Sequence, residues 1–87
     1  MSLRLRIALV RWVDSATSKR DVWRDVREAA KFSGECIENV GFLVRNDKKW
    51  VVLAGGHSEG DDVCCVFAIP KGCVVSIRYL SVGRRGK

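Results

Sequence analysis

Its single proline, single histidine and single tyrosine make this 87-residue chain poor in several kinds of chemistry. Pro70 lacks an N–H and disfavours helix before it, so it should mark a turn or a one-turn helix rather than interrupt an element. His57 confines imidazole chemistry to one place, the glycine-rich run Gly55-Gly56-His57-Ser58-Glu59-Gly60, where a solvated loop side chain is expected. Long apolar runs are missing too. Arg4, Arg6 and Arg11 interrupt the apolar stretch near the start, so neither a signal-peptide core nor a membrane span is expected, and a cytoplasmic address is.

Cys36, Cys64, Cys65 and Cys73 include no pair at the two-residue spacing of a zinc knuckle. In a reducing compartment they are expected to be free, buried, structural thiols. Cys64 and Cys65 are adjacent, so on a strand they point to opposite faces and reach one ion only across a bulge. No metal and no small-molecule cofactor is expected. Gly55, Gly56 and Gly60 are followed by no Gly-Lys-Ser/Thr and open no helix, which excludes a phosphate loop. With no nucleophile elbow expected at Ser15 or Ser58, no enzyme is expected either. Asp14 and Ser15 read as turn residues.

What is present is a globular balance, 47% hydrophobic and 30% charged, in a chain long enough for one core. Such a chain is marginally stable alone, which brings in oligomerisation as a physical option. The formal charge is +6, and Arg84, Arg85 and Lys87 crowd the last four positions. A single domain over 1–82 with a basic tail at 83–87 follows.

Leu3, Leu5, Ile7 and Leu9 alternate with polar or small residues and predict a strand buried on that face. Val10 and Trp12 continue in the opposite parity, so a bulge or bend is expected near Leu9 and Val10. Ser18 and Asp21 fit a capping box opening a helix over about 19–32, with Val22, Val26, Ala29 and Ala30 on one face and Gly34 as its stop. Val40, Phe42 and Val44 alternate before the turn Asn46-Asp47-Lys48, and Trp50 to Ala54 returns as the other arm of a hairpin. After the loop from Gly55 to Asp62, Val63–Ile69 and Val74–Leu80 complete five strands, separated by Pro70-Lys71-Gly72.

Gly41-Phe42-Leu43-Val44-Arg45-Asn46-Asp47 followed by Trp50-Val51-Val52-Leu53 resembles the first Sm motif, with Val51 where that family usually carries an RNA-contacting asparagine. Ile69-Pro70-Lys71-Gly72 before Val75 and Ile77 is similar to the second Sm motif, shifted one residue by Pro70. Trp12-Val13-Asp14-Ser15, Val40-Gly41-Phe42-Leu43 and Ile69-Pro70-Lys71-Gly72 together also resemble small tailed-phage proteins of Sm-like type. The resemblance implies a mainly β fold, a small five-stranded Sm-like or SH3-like barrel, here with one α-helix inserted after the first strand instead of before the barrel. It further implies a homo-oligomer, a bacterial host cytoplasm, and RNA or single-stranded nucleic acid as a ligand.

On that reading Asp47, Lys71 and Gly72 line an RNA pocket, with Arg4, Arg6, Arg84 and Arg85 as phosphate contacts. Asp47 can equally serve its own hairpin turn. The basic helix residues Arg20, Arg24, Arg27 and Lys31 alternate with Asp21, Asp25 and Glu28, as on a solvated face. The alternative function is a phage-type structural or protein-interaction module built on exposed strand edges.

Overall fold

Each of the five alternating segments forms a strand. The computed structural model describes residues 3–16 and 23–83. Its strands are β1 (Ile7–Asp14), β2 (Glu35–Asn46), β3 (Trp50–His57), β4 (Val63–Pro70) and β5 (Val74–Leu80). All neighbours are antiparallel, in one sheet of order β4-β3-β2-β1-β5. Lys71–Cys73 makes a single 3₁₀ turn between β4 and β5, as Pro70 leads one to expect. The mainly β expectation is met; the closed barrel is not, because β4 and β5 lie at opposite ends of the sheet.

Two register shifts bend this sheet, between Arg11 and Trp12 where β1 meets β5 and between Leu43 and Arg45 where β2 meets β3. A bulge increases local twist and curls a sheet over its own concave face. The curl brings Trp12 of β1 to Phe67 of β4, ring centroids 5.6 Å apart, although the two strands are three places apart. Ala8, Val10, Trp12, Val51, Leu53 and Ile69 form the buried cluster inside. The Trp12 indole Nε1–H donates to Asn39 Oδ1 at 2.8 Å, so the one polar atom of that ring is not stranded in the core.

Several sequence expectations are corrected here. The face of β1 turned to the core carries Ala8, Val10 and Trp12 along the whole strand, while Ile7 and Leu9 are half-buried on the other side. The side chains therefore do not change face at Leu9, and the bulge comes two residues later. In β2, Val40 and Val44 are exposed and Gly41 is buried, so its inner face is also the opposite of the one expected. A Cβ on Gly41 would stand 2.8 Å from the Ala54 carbonyl oxygen, which makes glycine necessary on that inner face. Gly55, Gly56 and His57 belong to β3, leaving the loop to Ser58–Asp62.

The described part of the inserted helix is one turn, α1 (Val26–Ala29), and it buries no residue. Asp25 stands at its N-cap without a side-chain capping bond to the backbone, and a turn with neither such a cap nor a packed face has little to hold it. Helix α1 therefore does not cover an open end of a barrel, as a packed helix would. The Ser18–Asp21 capping box and Val22 lie outside the described residues, as do Arg84 to Lys87 of the basic tail. No helix among the described residues is long and apolar enough to cross a membrane.

Candidate functional site

The β2–β3 turn and the 3₁₀ turn meet at one end of the sheet, which places Asp47 and Lys71 in the same neighbourhood. Asp47 Oδ1 accepts from the backbone N–H groups of Lys49 and Trp50, each at 2.8 Å, and Oδ2 receives the Arg45 Nε–H. These three donors, the backbone pair foremost, lower the Asp47 carboxyl from 3.8 to about 2. Its lone pairs are thus committed to the turn that it closes. The Lys71 N–H donates to the Lys49 carbonyl at 2.8 Å, and its ammonium reaches the side-chain oxygen of Asn46. Gly72 is exposed, with open space where a Cβ would point. The rim thus carries Arg45, Lys48, Lys49 and Lys71 against one carboxylate.

The other expected contacts are elsewhere. Arg4 is exposed ahead of β1. Arg6 lies over the Tyr79 ring, 3.5 Å from guanidinium carbon to centroid, and its carbonyl accepts the Leu43 N–H at 2.7 Å. Arg84 and Arg85 lie outside the described residues. On α1, Arg27 pairs with Asp25 at 3.2 Å, in keeping with a solvated face.

His57 is not a free loop side chain. Its Nε2 sits 2.8 Å from Asp61 Oδ1, and the Asp61 carboxylate also accepts the Leu3 N–H at 2.9 and 3.1 Å. A depression of about 320 Å³ beside this pair is lined by Gly56, His57, Ser58, Asp62, Val63 and Cys64. The run Gly56-His57-Ser58-Glu59-Gly60 also has the spacing G-x-S-x-G. That spacing activates a serine only on a strand-to-helix elbow with backbone N–H groups aimed at an oxyanion. Here it joins two strands, and the Ser58 hydroxyl accepts the Asp62 N–H at 3.1 Å while its backbone pairs with Asp61 and Asp62. Asp61, at φ 64°, completes the turn. The geometry therefore ties the β3–β4 turn to the segment before β1, with no acid–base relay to a nucleophile.

Cys64 lies in the same depression, and the neighbouring Cys65 thiol pushes the Cys64 thiol up, the direction opposite to activation. All four cysteines are free, but Cys36, Cys64 and Cys65 are exposed and only Cys73 is partly covered, so the expectation of buried thiols fails. It fails because β4 is an edge strand with Ile69 as its only buried residue. Among the described residues no three His, Cys, Asp or Glu side chains gather as a metal cluster.

Both edge strands of the sheet carry exposed apolar side chains. On β4, Val66 is 56% exposed, with Val63 and Phe67 also open; on β5, Val75 is 60% exposed, with Tyr79 and Leu80 also open. Comparison with protein-family models, with curated proteins and with solved structures finds no match.

Proposed function

We propose that this chain is a non-enzymatic, Sm-like binding module that assembles as a homo-oligomer, β4 of one copy adding to β5 of the next. The observation that carries the reading is the open order β4-β3-β2-β1-β5, with apolar side chains exposed on both terminal strands. An edge of this kind, without lysine or an interior proline, invites pairing with another chain. Because the two edges differ, the contact is head-to-tail, and repetition produces a ring if the rotation closes.

Assembly would repeat the basic rim of Lys48, Lys49 and Lys71 around one side, a field suited to the phosphates of RNA or single-stranded nucleic acid. The oligomer should then retain an RNA oligonucleotide with an affinity that falls steeply with salt. Replacing Lys48, Lys49 and Lys71 with alanine should flatten the slope by about one unit per lost phosphate contact. Retention that is absent, or insensitive to these replacements, overturns the nucleic-acid half of the reading.

A second reading, a structural or protein-interaction module, is favoured by the insertion. Trp23 is 103% exposed, and Val26 and Phe32 are also open. Gathered into one patch, large apolar side chains such as these would suit docking to a protein. Deleting the insertion should leave RNA retention intact if the first reading holds.

A further inference from the structure

The β2–β3 ladder stops at the pair Phe42 and Ala54, whereas β3 and β4 stay paired beyond it, through Gly56 with Cys64 to His57 with Val63. The far part of that hairpin, residues 55–65, therefore runs on without β2 paired to it. It begins at a crease. Cys65, at φ 54°, takes a left-handed backbone that residues with a Cβ seldom adopt. Against it stands Gly55, where a Cβ would come within 3.0 Å of the Cys65 Cβ. Hinges are built from a few such positions, where the backbone absorbs the change in direction.

Beyond the crease the hairpin is closely knit. A Cβ on Gly56 would stand 2.7 Å from the Cys64 Sγ, so the two strands touch there without room to spare. The turn is closed by the Ser58 N–H on the Asp62 carbonyl at 2.8 Å and the Asp61 N–H on the Ser58 carbonyl at 3.0 Å.

The arm before β1 ties this part back to the sheet. At its base the Arg6 carbonyl accepts the Leu43 N–H at 2.7 Å, and at its tip the Leu3 N–H donates to both Asp61 carboxylate oxygens, at 2.9 and 3.1 Å. Asp61 also meets His57 Nε2 at 2.8 Å, and the His57 ring stands edge-on to Phe42 of β2 at 5.8 Å. One carboxylate thus joins arm, turn and β3, and hydrogen bonds to an ionised acceptor are the stronger kind.

We propose that residues 55–65 form a flap that opens as a unit about the Gly55–Cys65 crease and is latched shut by the Leu3 arm through Asp61. Open, the flap withdraws Val63, Cys64 and Cys65 from the β4 edge, so the latch governs how much of that edge a second copy can use. This last consequence rests on the edge-pairing reading above.

The test is amide hydrogen exchange on the full-length protein, dilute enough to be monomeric. Leu3→Pro removes the donor and leaves the hairpin sequence untouched; Asp61→Gly removes the acceptor and suits the φ of 64° found there. Each should speed exchange of the protected amides within 56–65 by about tenfold or more, as loss of a hydrogen bond to a charged group implies. Amides in 51–53 and 67–69 should keep their wild-type rates, and the double variant should add little to either single one. Unchanged exchange within 56–65 in both variants overturns the latch, and acceleration spread equally over 51–53 and 67–69 overturns the flap. Concentrating the wild type until it assembles should slow exchange within 56–65 further, because a neighbour on β4 binds the closed form. Exchange there that is indifferent to assembly overturns the flap's role at the edge. A wild type that never assembles removes that role together with the edge-pairing reading, while the exchange rates of the dilute variants still decide the latch.

Discussion

Replacing Val66 or Val75 with lysine separates assembly from folding. Both side chains are more than half exposed in the isolated chain, at 56% and 60%, so each change should alter monomer stability by no more than about 0.5 kcal/mol. In the proposed assembly the same side chains would be covered. Full burial of a valine contributes about 1.5–3 kcal/mol, and the fraction still open here leaves about 1–2 kcal/mol from each edge, before the cost of desolvating a lysine. Every interface of the proposed kind would use one β4 and one β5, so either substitution alone should damage every contact. Each single variant should dissociate at concentrations where the wild type assembles, by at least tenfold in Kd for each roughly 1.4 kcal/mol lost.

Mixing the two variants gives the sharper result. A Val66→Lys chain keeps a sound β5 edge and a Val75→Lys chain keeps a sound β4 edge, so the mixture should form a one-to-one dimer that cannot extend. Sedimentation velocity reads all four samples, with urea midpoints run beside them to confirm the folded monomer. A wild type that sediments as a sharp monomer at micromolar concentration refutes the edge-pairing argument, and so does a mixture that stays monomeric while the wild type assembles.

Three further outcomes follow from the interior and the turn. Ile69→Ala empties a fully buried position and should cost about 2–5 kcal/mol in urea unfolding, a large share of what an 87-residue chain has. Trp12→Phe removes the donor to Asn39 Oδ1 and should cost about 1 kcal/mol, with the loss reduced when Asn39 is also replaced by leucine in a double-mutant cycle. Asp47 has a folded pKa depressed from 3.8 to about 2, so its contribution to stability is present above about pH 4 and is lost as pH falls through about 2. The urea midpoints of wild type and Asp47→Asn should therefore converge across that window, and a gap that is constant with pH would contradict the assigned hydrogen bonds.

Strand existence was legible in the sequence; strand facing was not. In β1 both parities are apolar, Ile7 and Leu9 on one side and Ala8, Val10 and Trp12 on the other, so a period of two announces a strand without saying which side is inside. The same ambiguity reversed β2, where the inner positions include Asn39 and Gly41, residues that hydropathy would send outward. Gly55 and Gly56 read as loop because glycine is conformationally permissive, yet pairing with β4 extends the strand through them. Pro70 was read correctly since a missing N–H has few places to go. The Asp47 turn was legible from its polar run between two apolar strands, and the resemblance implied that Asp47 and Lys71 lie together. The exposure of Cys64 and Cys65 was not legible, since it depends on β4 lying at the edge of the sheet.

Asp14 and Glu35 are register partners, so the chain leaves the sheet and returns to it at the same rung, with residues 15–34 strung between. The two ends are held close enough that a Cβ on Gly34 would collide with the Asp14 carbonyl oxygen, 2.2 Å away. A length of chain whose ends are clamped side by side is thermodynamically almost detached from what it hangs on: shortening it fivefold changes the closure entropy by only about 1.4 kcal/mol. Evolution can therefore lengthen, exchange or delete this stretch while the sheet keeps its register. Related chains with the same five strands would be expected to differ most here, each wearing its own accessory at the same socket.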